Sequence, residues 1–485
     1  MSPPGLFNPW NPGLMWHWKK RLFGLFEVYE RFGMDTVSVV PYAYGNPMIY
    51  TANFEIFRQV LAGGVKTPWI KHPGTTFQEW GVNVHTAKKE EWKRHRRITG
   101  AAFNNNLYTH IWEQTVQAYY DWTRDEGWSA TEFASIPVIQ TVTSKLTFLI
   151  IVVCGFGLNT SWSDEAHTDT GNMTIPEAMR ILSLPSPFKY LPKPMMQLPF
   201  KALREFRSVR QVVDKYMRER VNERQAYVRT QVAMNEEGDR DMFSLLVRAN
   251  GNDVMNGSKQ TLSDSELMSN VFLMLFAGYE STAHTLAATF ALLAVHPEVQ
   301  DDIYSQILDV VGLDRDPTAN DYHNLNKALY AYFEGTRMFP TVVAIFREAG
   351  EDIPLPIPVS LTSEEKTTLV VPKGTIVALD VLGYHYNPHY FPDPTKFIPS
   401  RWEGDAKGDT LAAFGHGPRI CLGRRFSTTE AVAFLTMCLR DWVVEPLLQE
   451  GETIDQWRSR VLDGRFFLVL GVKNVPVRLR RRRAV

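Results

Sequence analysis

Cysteine is scarce in this chain of 485 residues, which has three, at positions 154, 421 and 438. So few cysteines at irregular spacing support neither a disulfide framework nor a structural zinc site, and they suit a reducing compartment. Long hydrophobic runs are also lacking. The most apolar window, residues 146–156, has about half of the roughly 20 residues that a membrane-spanning helix needs, so we expect a buried core helix there. The opening MSPPG has neither the positive n-region nor the apolar h-region of a signal peptide, so none is expected.

Neither sign of charge is in excess, because 52 lysines and arginines oppose 53 aspartates and glutamates and leave a formal net charge of −1. A chain without a basic field is not expected to bind nucleic acid. A hydrophobic content of 44% and a charged content of 22% are typical of a globular protein with a large core. Hydrophobic periodicity alone predicts a large, mainly helical protein with a minor β part.

One of the three cysteines stands in an unusual loop, FGHGPRICLG at residues 414–423. Glycine permits positive φ and close backbone approach, and proline removes one amide donor. The remaining amides can point at a thiolate and lower its pKa, as a helix N-terminus does. A lone cysteine is most often an inert buried thiol, but a thiolate held in such a loop is suited to bind iron.

The loop resembles the haem-binding loop of the cytochrome P450 family, Phe-x-x-Gly-x-Arg-x-Cys-x-Gly, at every fixed position. The resemblance implies the P450 fold, mainly α with a small β region and a long central helix over the haem. It implies haem b (iron protoporphyrin IX) as cofactor, with Cys421 as the iron ligand and Arg419 at a propionate. Phe414, Gly415 and Gly423 are then parts of the cofactor-binding loop.

A second motif is the pair Trp92 and Arg96, which lie four apart in a basic stretch predicted to be helical, residues 90–102. Taken alone, such a pair is common by chance, and a basic run is usually a solvated face. It resembles the family's Trp-x-x-x-Arg, whose side chains donate to a propionate. Arg347 matches a further propionate-binding arginine. The neighbouring basic residues are then implied to dock an acidic redox partner.

A long helix is predicted over residues 267–295, with Ser263 and Glu266 spaced as a capping box before it. Its apolar pattern is interrupted by AGYEST at residues 277–282. From the residues alone, an ordinary kink with Ser/Thr back-bonding is favoured.

The family's long helix crosses the distal face of the haem and offers another interpretation of this interruption. In that resemblance Ala277 and Gly278 leave room for O2, and Glu280 with Ser281 and Thr282 delivers protons. Serine stands at 281 where threonine is usual, which keeps the hydroxyl but makes its orientation less certain.

Glu334 and Arg337 lie three apart in apolar surroundings, where charges must be paired. They resemble the family's Glu-x-x-Arg, which joins a later arginine, here Arg401, in a structural triad behind the cysteine loop. Residues 369–375 are predicted to form a hairpin. Apolar candidates for a substrate pocket are Trp80, Val84, Phe272, Phe276, Val343, Ala344 and Ile345.

The resemblance covers residues 22–483 and implies a haem-thiolate monooxygenase of the eukaryotic microsomal type, as found in fungi, with a role in secondary metabolism. Such an enzyme inserts one oxygen atom of O2 into a lipophilic substrate by hydroxylation or epoxidation. Since no flavin or nicotinamide motif is evident, electrons would come from NADPH through NADPH–cytochrome P450 reductase, with cytochrome b5 as a further donor. Two alternatives stay open: a haem-thiolate isomerase, dehydratase or peroxide-driven enzyme, and a non-catalytic haem-binding sensor.

Two regions follow from this resemblance. Residues 22–485 are expected to form one catalytic domain, and residues 1–21, rich in Pro, Gly and Trp, a hinge or membrane-proximal arm. Tryptophans beside lysines are typical of a membrane interface, although an arm packed on the body explains them equally well. The expected location is the cytosolic face of the endoplasmic reticulum membrane, with the anchor helix absent from this sequence, or otherwise the cytoplasm.

Overall fold

The computed structural model describes most of the chain. The described residues are 26–40, 47–63, 67–71, 81–128, 131–157, 160–163, 178, 181, 195–234, 240–255, 261–405, 408–466 and 469–482. The expected N-terminal arm and the pocket candidate Trp80 lie outside these ranges.

Helices make up the body of the molecule. They are α1 (Glu27–Phe32), α2 (Phe54–Ala62), α3 (Lys89–Ala101), α4 (Asn105–Asp125), α5 (Ile139–Ile150), α6 (Lys201–Met234), α7 (Met242–Met255), α8 (Asp264–Ala294), α9 (Pro297–Val310), α10 (Asn326–Met338), α11 (Val381–His385), α12 (Arg424–Asp441) and α13 (Ile454–Val461). A π-helical turn, Ile151–Gly155, continues α5.

The long helix α8 confirms the prediction made from its capping box. The Ser263 side chain accepts from the Glu266 amide, and the Glu266 side chain accepts from the Ser263 amide. Residues on every side of α8 are buried, as expected of a core helix rather than a surface one. The helix packs against α5, α10 and α12, so its middle lies deep inside the protein.

Within the part of the chain that the structure describes, the strands form four small sheets. They are β1 (Thr36–Val39), β2 (Met48–Thr51), β3 (Trp69–Lys71), β4 (Phe133–Ile136), β5 (Ala344–Ala349), β6 (Ile353–Pro358), β7 (Lys366–Val371), β8 (Ile376–Asp380), β9 (Trp442–Pro446), β10 (Gly464–Phe466), β11 (Leu470–Val472) and β12 (Val477–Arg481). The largest sheet has the order β1-β2-β8-β5-β3, in which the pair β2/β8 is parallel and the other pairs are antiparallel.

The hairpin predicted at residues 369–375 is wrong. The chain does reverse there, because the Thr375 amide donates to the Pro372 carbonyl and Gly374 adopts φ +83°. The two strands that flank the turn nevertheless belong to different sheets, since β7 pairs with β6 while β8 pairs with β2 and β5. Turn residues indicate a reversal, but they do not determine which strand becomes the partner.

The architecture confirms the expected fold class, mainly helical with a smaller β part. No helix within the described ranges is long and apolar enough to cross a membrane. Two consequences matter for the site. The start of α12 follows directly on the cysteine loop, and β3 and β5 lie side by side.

Candidate functional site

The cysteine loop is held in place by backbone contacts. The Cys421 amide donates to the Phe414 carbonyl at 2.8 Å, which closes the loop just before α12 begins. Gly417 adopts φ +70°, and a Cβ built there would lie 2.3 Å from the Leu61 carbonyl oxygen at the end of α2. Both the positive φ and the steric clash therefore exclude a side chain at position 417. The position of the loop depends on this close approach of its backbone to the end of α2.

The Cys421 sulfur is surrounded by donors. Burial raises the pKa of its thiol above the ordinary value, the reverse of the lowering expected from the loop, although the backbone N–H groups of Gly423 and Arg424 and the guanidinium groups of Arg96 and Arg424 oppose this rise. The side chain is nonetheless accessible. Since the surrounding protein desolvates the thiol, this accessible surface belongs to an internal recess rather than to the outer face. Such donors stabilise a thiolate, the form of cysteine that binds metals.

A cluster of cations lies beside the loop. Burial lowers the pKa of Arg347 to about 10, and burial together with Arg347 and Arg96 lowers that of Arg419 to about 10. Burial, Arg419 and Arg347 lower the pKa of Lys71 to about 6. Within the described part of the chain, no carboxylate forms an ion pair with Lys71, Arg96, Arg347 or Arg419. Burying several cations next to one another without an anion costs free energy. The cluster therefore fits a ligand that carries carboxylates.

The cluster is arranged by α3, the cysteine loop and the β3/β5 pair. Arg96 donates to the Ile420 carbonyl at 2.7 Å, and Arg419 donates to the Ala87 carbonyl at 2.9 Å. The Arg419 guanidinium lies 4.4 Å from the centre of the buried Trp92 ring. Lys71 pairs with Arg347 across the strands. The structure thus brings together every sequence-predicted propionate residue, Trp92, Arg96, Arg347 and Arg419.

Two members of this cluster were missed by the sequence analysis. Lys71 donates to the carbonyl of His85, and burial, Lys71 and Arg419 lower the pKa of His85 to about 3. Lys71 precedes the loop by some distance in the chain, and it reaches the site because β3 pairs with β5. In the sequence, Lys71 is only a lysine at the end of a short apolar stretch. Such a pattern does not show which strand will pair with it.

The middle of α8 has an accessible turn, which the resemblance to the family implies borders the recess. Ala277 is exposed although most of the residues around it on α8 are buried. The Ser281 hydroxyl donates to the Ala277 carbonyl at 2.7 Å, and Glu280 is half-buried beside it. Phe272 and Phe276, two of the pocket candidates, are buried and stack with ring centres 6.1 Å apart. This face of the helix is apolar except at the Ser281 turn.

Gly278 does not border the recess as expected. A Cβ built on Gly278 would lie 3.0 Å from the Ile151 Cδ1 atom of the π-helical turn. The glycine therefore allows α8 to approach α5, and the space expected for O2 next to it is filled by Ile151. Successive helical residues point about 100° apart, so Ala277 and Gly278 face different neighbours.

Thr282 also faces away from the recess. Its side chain is buried and its hydroxyl donates to the Ser427 hydroxyl of α12 at 3.1 Å. The expectation that Thr282 delivers protons directly at the site is corrected by this contact. Ser281 remains the hydroxyl of the pair that lies on the side of Ala277.

The structural triad is assembled around one fully buried carboxylate. Both Glu334 oxygens accept from Arg337, at 2.8 and 2.9 Å. Arg401 Nε donates to one of these oxygens at 3.0 Å, and Trp402 Nε1 donates to the other at 3.0 Å. Arg337 in turn donates to the carbonyls of His385, Pro394 and Lys396. The triad thereby joins α10 to the segment that leads to the cysteine loop.

The remaining pocket candidates lie on two segments. Val343 is buried and Ala344 and Ile345 are half-buried at the start of β5, where the Ile345 Cδ1 atom lies 4.0 Å from a Cβ built on Gly415. Val84 is half-buried, and its amide donates to the Asn270 side chain of α8 at 2.8 Å. The start of β5 is thus beside the cysteine loop, and the Val84 segment is tied to α8.

Comparisons with known proteins identify the family of this chain. The sequence model of the family described as Cytochrome P450 matches residues 4–464. The chain is 35% identical over 418 residues to Cytochrome P450 monooxygenase 124 of Postia placenta, covering 83% of this chain and 77% of that protein. It is 26% identical over 482 residues to Cytochrome P450 monooxygenase prx9 of Penicillium rubens, covering 90% and 79%.

Solved structures show the same fold. The haem domain of cytochrome P450DA superposes with a TM-score of 0.73 at 20% identity, covering 99% of this chain and 97% of that one. This chain therefore belongs to the cytochrome P450 family. Its named relatives are monooxygenases, so it is an enzyme of that class. The family implies a haem cofactor and, in general, a redox partner, an organic substrate and O2.

Proposed function

We propose that this enzyme inserts one oxygen atom of O2 into a lipophilic organic substrate, by hydroxylation or epoxidation, with electrons from NADPH delivered by NADPH–cytochrome P450 reductase. The observation that carries the proposal is the pairing of an accessible, donor-surrounded Cys421 sulfur with a buried cation cluster. Together they fit the iron and the two carboxylate arms of haem b. The apolar phenylalanines of α8 suit a lipophilic substrate.

Haem, when bound, supplies the redox chemistry and the activation of O2. The chain's own residues would hold it: Cys421 would bind the iron, and Arg96, Arg347 and Arg419 would neutralise the carboxylate arms. Arginine suits this role because its charge persists at every working pH. Trp92 positions Arg419 through its ring face.

Ser281 is proposed to hold and pass protons at the recess, with Glu280 as the nearby acid. The Ser281 hydroxyl donates to the Ala277 carbonyl, which leaves its lone pairs available to accept a hydrogen bond from a group in the recess. We expect Ser281→Ala to lower the product formed per NADPH more than it lowers substrate affinity. Unchanged coupling would show that protons arrive by another route.

The exposed lysines of α3 and the residue before it are proposed to dock the reductase. Lys88, Lys89 and Lys93 are exposed. By contrast, Arg94 is tied to Glu266, and Arg425 lies over the Tyr322 ring at 3.5 Å. We therefore assign docking to the lysines, with attraction that weakens as salt rises. Charge reversal at Lys88 and Lys93 should raise the reductase concentration for half-maximal rate, and an unchanged value would contradict docking here.

We also propose that the enzyme works at the cytosolic face of the endoplasmic reticulum membrane, as expected of the microsomal type. The apolar nature of the expected substrates supports this location, because such compounds partition into bilayers. Cell fractionation with an antibody to the natural protein tests it. Recovery in the supernatant after high-speed centrifugation would contradict it.

Turnover of the purified, haem-loaded enzyme tests the reaction. With NADPH, reductase and O2, a lipophilic substrate identified by a spectral binding screen should gain one oxygen atom, and isotope from labelled O2 should appear in the product. Product formed with peroxide alone, and none with reductase, would favour a peroxide-driven enzyme instead. A product isomeric with the substrate would favour an isomerase.

A further inference from the structure

Accessible side chains of α8 form one stripe along the helix. Most side chains within residues 267–294 are buried, and Met274, Ala277, Ser281 and His284 are among the few that keep accessible surface. Their spacing of three, four and three residues places them on one helix face. Ala277 and Ser281 belong to the turn assigned to the recess, so His284 extends the same wall by about one further turn.

The imidazole of His284 is a polar group without a partner in this wall. Its Nδ1 atom is enclosed and has no hydrogen-bond partner among the described residues. Burial lowers the pKa of His284, and no charged group of the described residues contributes to this shift. The ring is therefore neutral at pH 7. A buried polar group without a partner costs free energy and needs an explanation, and none of the motifs above uses this residue.

The ring lies against the strand pair β10/β11. A Cβ built on Gly471 of β11 would lie 2.6 Å from His284 Nδ1, 3.2 Å from its Cγ and 3.5 Å from its Cβ. A side chain at position 471 would therefore displace the imidazole. Because Nδ1, Cγ and Cβ lie on the side of β11, the accessible part of the ring is the opposite edge, which carries Nε2.

The neutral state of the ring determines what this edge can bind. A neutral imidazole has one N–H group and one bare nitrogen. Buried N–H groups without a partner are rarer than acceptors without one, so we expect the hydrogen on Nε2, at the edge that a ligand can reach. The Nε2–H group is then a donor for an oxygen atom of a ligand. It carries no positive charge that would favour a carboxylate.

We propose that His284 is a specificity-determining residue, which selects among lipophilic substrates those that carry an uncharged carbonyl or hydroxyl oxygen. The inference rests on the proposed oxygenase function and defines its substrate class further. The carbon skeleton contacts the apolar stripe residues Met274 and Ala277, and the His284 Nε2–H group donates to the oxygen. This hydrogen bond orients the skeleton along α8. A pure hydrocarbon leaves the N–H group unpaired and is bound less tightly.

Ligand binding to the haem-loaded enzyme tests this selection without turnover. The probes are two pairs that share a carbon skeleton, fluorene with fluorenone and decalin with decalone, and each is titrated by the change in haem absorbance. We expect the wild type to bind each ketone about 3–10-fold more tightly than its hydrocarbon, as one neutral hydrogen bond provides. Equal affinities within both pairs, or binding of neither ketone, would overturn the proposal.

Substitutions assign the preference to one side chain. His284→Leu removes the N–H group and should abolish the preference for the ketone, whereas His284→Gln, which retains an N–H donor, should keep part of it. The matched control is Met274→Leu at the other end of the stripe, which changes the wall without removing a polar group and should alter both affinities of a pair alike. A ketone preference that survives in His284→Leu would overturn the proposal.

Unfolding of the same variants distinguishes recognition from a structural role. An unpartnered polar group that serves binding does not stabilise the fold, so His284→Leu should leave the unfolding temperature of the haem-loaded enzyme unchanged or raise it. A lower temperature with an unchanged ketone preference would overturn the proposal, because the ring would then only hold β11 to α8.

Gly471→Ala offers a test that leaves the imidazole in place. Its Cβ would displace the ring, so this variant should weaken ketone binding more than hydrocarbon binding, and an unchanged ratio would contradict the assigned position of the ring. The proposed function fails by a different result. The absence of labelled oxygen from every product would count against the oxygenase, whereas equal affinities for ketone and hydrocarbon would count against the role of His284.

Discussion

Glu334 is the residue on which the arrangement behind the cysteine loop depends. Its carboxylate is completely buried and accepts from Arg337, Arg401 and Trp402. Removing one partner of a buried ion pair leaves the other charge uncompensated, which is far more costly than losing a surface pair. The role of this triad is therefore to hold the segments behind the cysteine loop in a fixed arrangement.

We predict that Glu334→Gln lowers the free energy of unfolding by about 3–5 kcal/mol, because Arg337 and Arg401 remain buried without their anion. Urea denaturation followed by fluorescence measures this change. The control is Asp393→Asn, which breaks the exposed pair Asp393–Lys396 with the same i,i+3 spacing and should cost less than about 1 kcal/mol. Equal costs for the two variants would contradict the structural role of the triad.

Lys71 gives a second prediction at this scale. Its pKa is lowered to about 6 by burial and by the neighbouring arginines, so in the protein without an anion it is largely neutral at pH 7.5. Carboxylates beside it raise its pKa, and haem binding should therefore take up a proton at that pH.

Calorimetry of haem binding in buffers with different ionisation enthalpies measures this proton uptake. Lys71→Met should abolish it and weaken haem binding, while Lys93→Met, at an exposed lysine of α3, should retain it. Uptake that persists in Lys71→Met would assign the proton to another group.

At the scale of elements, α3 and α8 are joined by a network of polar groups. The Asn270 amide donates to His95 Nδ1 at 2.9 Å and to the Glu266 carbonyl at 2.7 Å, and its oxygen accepts from the Val84 amide at 2.8 Å. Burial lowers the pKa of His95, so its ring is neutral, with Nδ1 as the acceptor. One side chain thereby fixes α3 and the Val84 segment to α8.

We predict that Asn270→Leu costs about 1–3 kcal/mol for each buried group left without a partner, here His95 Nδ1 and the Val84 amide. The loss should appear as a lower unfolding temperature of the haem-loaded enzyme. Hydrogen exchange should also become faster at residues 83–87 and stay unchanged in α10. Unchanged exchange in the Val84 segment would show that Asn270 does not hold it.

Features with a local sequence signal were predicted correctly, whereas contacts between helices were not. The cysteine loop and the start of α8 have local signals, ten residues of fixed pattern and a capping box, and these were predicted. Gly278 and Thr282 were assigned to the recess from the resemblance to the family's long helix, but each faces a neighbouring helix instead. The neighbours of a helix face are set by tertiary packing, which a single sequence does not specify.

The pairing of β3 with β5 was not predicted, because it too is set by tertiary packing. Lys71 reaches the cation cluster through its pairing with Arg347 on a strand far along the chain. The burial of Glu430, an acid in α12 with no exposed surface, was not predicted either, because an acid within an amphipathic stretch normally lies on the surface. Its burial follows from α12 being enclosed by other helices.

For the whole molecule, the buried histidines set the response to acid. Burial and Arg337 lower the pKa of His385 to about 3, and burial lowers those of His95 and His284. These rings are neutral in the folded state and take up protons in the unfolded chain near pH 6.5. Their contribution to stability is therefore complete above about pH 6.5 and is lost as the pH falls.

We predict that the free energy of unfolding falls between pH 6.5 and pH 4, with each such histidine contributing a slope of up to about 1.4 kcal/mol per pH unit. His385→Gln should reduce this slope by the contribution of one histidine, up to about 1.4 kcal/mol per pH unit. Urea titrations at half-unit pH intervals measure both profiles. Identical slopes would show that His385 does not titrate differently in the two states.

The central claim is that the Cys421 thiolate binds the haem iron, and the carbon monoxide complex of the reduced, haem-loaded enzyme tests it most directly. We predict the red-shifted Soret band of thiolate ligation in the wild type and in Cys438→Ala, at a buried cysteine far from the loop, and its loss in Cys421→Ala. A wild-type band without the red shift, or an unchanged band in Cys421→Ala, would contradict the account.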